Sequence, residues 1–119
     1  MIEESYVSRD TARMLKEAGF DEVCRSAYYA TGNSAVMYER NSMLSPGYVS
    51  RPTQALAARW LREVHNIFIQ LNPTFDGWLL DLFDLKKHQY ILTNKNANAD
   101  SYEQALEDGL QEAIKLIKK

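Results

Sequence analysis

The sequence predicts an α+β fold in one domain, residues 1–119, with an antiparallel sheet of about four strands and helices packed on one face. Three observations predict it. Pro52–Leu71, PTQALAARWLREVHNIFIQL, reads as a capped helix with an apolar stripe that runs straight into an alternating strand. Segments 25–30 and 35–40, rich in tyrosine, flank a Thr31-Gly32-Asn33-Ser34 turn, the pattern of a β-hairpin. Helices with clear start signals stand near both ends of the chain. The predicted order is α-β-β-α-β-β-α, and hairpins pair antiparallel.

Each element follows from local chemistry. For the helix over 8–18, Ser8 is the N-cap and Asp10 complements the positive end of the helix dipole. Val7, Ala12, Leu15 and Ala18 give its apolar stripe. Gly19 suits the left-handed position after the helix, and Phe20 folds back onto Leu15. Asn41–Ser50, with Pro46-Gly47, reads as a loop. The central helix is capped by Thr53 or Ser50, carries Leu56, Trp60, Leu61 and Val64 on one side, and ends at Asn66. Ile67, Ile69 and Leu71 alternate with Phe68 and Gln70 as a strand; Pro73–Gly77 turns the chain. Trp78–Leu85 returns, with Asp81 opposite Trp78, Leu80 and Leu82. In Lys86–Ala99, Tyr90–Leu92 extends or adds to the sheet, whereas Asn94–Asn98 is expected to be exposed and mobile. Ser101 and Gln104 make a capping box for the last helix, whose stripe is Ala105, Leu106, Leu110, Ala113, Ile114 and Ile117.

Bulk properties narrow the functional classes. Hydrophobic content of 45% and charged content of 25% match a globular chain with one core. The single Cys24 cannot form an internal disulfide, which suits a reducing compartment; with no signal-peptide pattern in residues 1–25, the expected location is cytoplasmic. Apolar runs fall far short of the roughly 20 residues of a membrane span. A net charge of -2 disfavours a general nucleic-acid binder.

No pattern points to catalysis. His65 ends the central helix, where an imidazole complements the dipole, and His88 lies in the Lys86–Ala99 stretch. A Cys24–His65 pair is the only route to a thiol nucleophile, and nothing local favours the thiolate. Two histidines and one cysteine, widely separated, do not make a zinc site, and Asp76, Asp81 and Asp84 lack calcium-loop spacing and read as a solvated face. No metal or cofactor is therefore expected. The five glycines are isolated; Gly109, inside the last helix, marks close approach by a neighbour or a dimer contact. The distinctive cluster is Arg25, Tyr28, Tyr29, Tyr38, Arg40, Tyr48 and Arg51. Tyrosine and arginine together suit a strand-rich core edge, a protein interface, or base stacking beside phosphate contacts.

Three blocks carry a resemblance: TARMLKEAGFDE, PTQALAARWLREVH and SYEQA. They resemble a family of short proteins found in phages, prophages and mobile elements of gut bacteria. That family has no established activity, so the resemblance implies a genomic setting and transfers no mechanism. The functional expectation is a non-enzymatic accessory protein that binds a protein partner, with self-association possible. The alternative is a nucleic-acid-associated protein using the Tyr/Arg hairpin face; third stands a small enzyme built from carboxylates and His65.

Overall fold

The computed structural model describes residues 2–97 and 99–117. The chain runs α1 (Arg9–Glu17), β1 (Cys24–Tyr28), β2 (Ser34–Glu39), a 3₁₀ turn at Asn41–Met43, β3 (Val49–Ser50), α2 (Gln54–Val64), β4 (Ile67–Thr74), β5 (Gly77–Asp84), β6 (Gln89–Asn96) and α3 (Tyr102–Ile117). The α+β class and the three helices stand as expected. The single sheet of about four strands does not: the strands form two antiparallel sheets of three, ordered β2-β1-β3 and β4-β5-β6. Two strands account for the difference. Val49–Ser50, within the expected loop, pairs with Ala27–Tyr28. Gln89–Asn96 pairs along β5, so the Asn94–Asn96 part of the stretch expected to be mobile lies in a strand; Asn98 falls outside the described residues.

The helix ends form by the chemistry read from the sequence. Ser8 Oγ accepts from the Thr11 amide at 3.2 Å, and Thr53 Oγ1 accepts from the Leu56 amide at 3.1 Å. At the end of α1, the Phe20 amide donates to the Leu15 carbonyl (2.9 Å) and that of Gly19 to Lys16 (3.1 Å), the paired bonds of a Schellman end. Phe20 is thereby delivered into the core. Asn66 takes a left-handed φ of 59° just beyond α2.

One apolar core joins both sheets. α2 and α3 lie on the face of the second sheet formed by Ile67, Ile69, Leu71, Leu80, Leu82 and Leu92, while α1 packs on β3 and α3. Val64, placed on the buried side of α2 by helical spacing, is instead more than half exposed at the last residue of the helix. Gly109 shows why α3 approaches so closely. A Cβ there would lie 2.8 Å from Ile69 Cγ2 and 3.1 Å from Leu80 Cδ1. The close-approach reading is correct and the dimer-contact reading is not, since Gly109 faces the chain's own sheet and is buried. Gly109→Ala gains about 1 kcal/mol of helix propensity, but Ile69 Cγ2 hangs from a branched Cβ and cannot swing aside. A net loss of about 1–3 kcal/mol is expected in urea unfolding, and a larger one for Gly109→Val.

A polar network ties the three helices together. Glu107 on α3 accepts from the Ser8 amide (2.9 Å) and the Thr11 hydroxyl at the start of α1, and from Gln54 Nε2 (3.0 Å) at the start of α2. Gln54 Nε2 also donates to the Glu103 carbonyl (2.8 Å), and Gln111 Nε2 to Thr11 Oγ1 (2.9 Å). The buried Thr11 and Gln54 side chains are satisfied there, as buried polar groups must be.

Candidate functional site

The seven tyrosines and arginines singled out by sequence do not form one face. They separate into three places. Arg25, Tyr38 and Arg51 line a common cleft of about 280 Å³, which also takes in Tyr6, Ser26 and Ser34. Tyr28 stands behind it, with its hydroxyl donating to the Val7 carbonyl at 2.6 Å and its ring 5.4 Å from the Arg51 guanidinium. Tyr29 and Tyr48 meet edge to face, 5.1 Å between centroids, and pack the 41–48 segment against the hairpin turn. Arg40 lies at the far end of β2, near the Asp21 carboxylate. Asp21 is held below its ordinary value mainly by the Ser42 amide, with Arg40 a smaller contributor.

Two local features assemble the cleft. The first is a bulge. Cys24 pairs with Glu39 and Ser26 with Val36, so Met37 and Tyr38 stand opposite the single residue Arg25. Such two-against-one pairing breaks the strict alternation of a strand, and Arg25 lines the cleft together with its neighbour Ser26. The second is the N-terminal segment. Val7 donates to the Pro52 carbonyl at 3.1 Å and Gln54 to that of Ser5 at 2.8 Å, with Tyr6 bridged to Thr53. Tyr6 is thus laid over Arg51, whose guanidinium carbon sits 3.9 Å from the ring centroid. A cation over an aromatic face is attracted by the ring quadrupole. Arg51 Nη1 donates to Ser26 Oγ at 3.3 Å. Sequence reading missed Tyr6, Ser26 and Ser34; the one available signal was the Arg51-Pro52 pair, an extended dipeptide able to receive a neighbouring segment.

β2 is the outer strand of its sheet, paired with β1 alone. It presents Val36 at 77% and Tyr38 at 70% exposure, unusual for apolar and aromatic strand residues. On the other sheet, Phe68, Phe83 and Tyr90 form a row across the face turned away from the helices, with Phe83 and Tyr90 edge to face at 4.9 Å. Beside them Asp81 is only 7% exposed, which corrects the solvated reading. Its carboxylate accepts from Asn72 Nδ2 (2.9 Å) and the Asn94 amide (2.7 Å), pinning an irregular stretch of β6 where Asn94 is left-handed. Asp84 closes the β5–β6 turn, and the Lys87 amide, the largest cause, holds its carboxyl below the ordinary range, with the Lys86 amide adding to it.

Cys24 and His65 both make packing contacts. Cys24 is buried; burial pushes its thiol up to about 11, against a smaller opposing pull from the Ser50 hydroxyl. A thiol so placed is protonated at neutral pH and a poor nucleophile. His65 packs edge to face on Trp60 at 4.7 Å. Among the described residues no three histidine, cysteine or carboxylate side chains cluster as metal ligands, and no helix is long and apolar enough to cross a membrane. No family model, curated protein or solved structure matches this chain.

Proposed function

We propose that this chain is a non-enzymatic accessory protein of a phage or mobile element, acting in the cytoplasm by taking an extended segment of a partner protein onto the free edge of β2. The observation that carries the reading is that edge: one unpaired side, with Val36 and Tyr38 standing exposed on it. Added strands gain affinity from main-chain hydrogen bonds and specificity from contacts with alternate side chains, which the exposed Val36 and Tyr38 offer. The genomic setting rests on the resemblance of the three helical blocks. Nucleic acid is the second reading, favoured by two arginines in one cleft; a steep fall of affinity with salt marks that case.

The test is site-specific photo-crosslinking. A benzophenone amino acid at position 36 is expected to give one discrete protein adduct in lysate of cells that carry the gene. The adduct should survive nuclease and disappear when Tyr38→Glu is added. The same probe at Met43, exposed but off the β2 edge, should give none. Equal labelling from both positions, or no adduct from position 36, refutes docking at β2, and loss of the adduct under nuclease transfers the function to nucleic acid.

A further inference from the structure

The cleft between β1, β2 and the Tyr6–Arg51 stack has a chemistry of its own. Two guanidinium groups line it and no aspartate or glutamate among the described residues does. No carboxylate among the described residues lies within ion-pair distance of Arg25 or Arg51. That is an uncommon situation on a chain of net charge -2. Arg51 is also restrained, against the Tyr6 ring at 3.9 Å and the Tyr28 ring at 5.4 Å and bonded to Ser26, with its Nε buried and without an acceptor. A guanidinium restrained in this way loses little conformational freedom on meeting an anion.

From this geometry we infer that the cleft is a binding site for a phosphate monoester carried on a flat ring. One carboxylate is satisfied by one bidentate arginine, whereas a phosphate dianion offers three terminal oxygens and close to two charges. The cleft supplies matching groups: the forks of Arg25 and Arg51, and the hydroxyls of Tyr6, Ser34 and Tyr38 as further donors. The exposed Tyr38 ring and the Val36 side chain at the rim give the carrier a surface to stack on. The site shares Val36 and Tyr38 with the β2 edge, but its arginines Arg25 and Arg51 lie on β1 and beyond β3, and a small anion needs no protein partner. It therefore stands or falls separately from strand docking.

Arginine side-chain NMR tests it directly. Phenyl phosphate titrated into the wild-type chain is expected to shift the Arg25 and Arg51 Nε–H resonances saturably. Inorganic phosphate should move the same resonances with lower affinity. Sodium benzoate at equal ionic strength should leave them in place. Arg25→Gln is expected to weaken phenyl phosphate about tenfold, the loss of one charge-assisted contact. Arg25 is exposed, so this variant keeps the wild-type backbone spectrum. Arg51→Lys, which retains the charge and loses the fork, should weaken binding similarly. Equal response to benzoate overturns the phosphate assignment. Shifts that grow linearly with salt, or that persist unchanged in Arg25→Gln, overturn the site altogether.

Discussion

Replacing Trp60 with alanine is expected to remove about 3–5 kcal/mol of stability, the range for truncating a large buried aromatic. For a domain of this size, whose whole stability is of order 5–15 kcal/mol, that is enough to leave little folded protein. The position explains the size. Trp60 projects from the middle of α2 and is 6% exposed. Its ring meets Phe20 edge to face at 5.3 Å and His65 at 4.7 Å. Phe20 is held by the Schellman end of α1, and its carbonyl accepts from Asn41 Nδ2 at 2.8 Å. Asn41 Oδ1 in turn accepts from the Ser50 amide of β3 at 2.8 Å. Truncation therefore opens a cavity beside Phe20 and His65. Trp60→Phe should recover most of the loss, since it keeps the contact with Phe20. Chemical unfolding followed by circular dichroism reads both variants, and a Trp60→Ala midpoint near that of the wild type would mean the ring does not hold the helix layer together.

The helices were legible because their signals are local. A hydroxyl at the cap, a 3.6-residue apolar period and a left-handed residue at the end act within a few residues. All are present for α1, which ends at Gly19, and α2, which ends at Asn66. β3 went unread and β6 was legible only in Tyr90–Leu92, for different reasons. β3 is two residues long between Pro46-Gly47 and Pro52, too short to display any period. β6 ends in Thr93-Asn94-Lys95-Asn96, a composition poor in strand formers, and Asn94 breaks the alternation. β6 is held by its ladder with β5, and at the irregular stretch by Asp81 receiving the Asn94 amide, a contact thirteen residues apart that no local pattern carries. With β3 unread and β6 legible only in part, the local pattern predicts one sheet where the chain forms two of three strands.

The candidate site was legible in composition and illegible in arrangement. Arg25, Tyr38 and Arg51 stood out by residue type, but tyrosines at 28, 29 and 48 looked equivalent to them. The structure separates them through the bulge opposite Arg25 and through Tyr6, which reaches Arg51 from a segment forty-five residues earlier in the chain. Residue type announces a binding chemistry; which members share a cleft is decided by long-range pairing.

Glu107→Ala is expected to lower stability by about 2–4 kcal/mol, although the side chain lies on a helix and is only partly buried. The loss comes from three donors left behind. The Ser8 amide at the first turn of α1 loses its acceptor. The Thr11 hydroxyl, fully buried, loses an ionised partner, and Gln54 Nε2 is left with the Glu103 carbonyl alone. A buried hydrogen bond to a charged acceptor contributes about 1.5–3 kcal/mol; the Ser8 contact is exposed and Gln54 keeps the Glu103 carbonyl, so the Thr11 contact carries most of the loss. Glu107 also places a negative charge at the amino ends of α1 and α2, where the helix dipoles favour it. Glu107→Gln separates these contributions. It keeps one acceptor oxygen and removes the charge, so its loss should be about half that of alanine. Thr11→Val, which removes the donor with little change of shape, makes the pair for a double-mutant cycle. A coupling energy of about 1 kcal/mol or more between positions 11 and 107 is the expected result. Additive losses would mean that the Thr11–Glu107 contact adds no stability of its own, and merely satisfies groups which the core has already brought together.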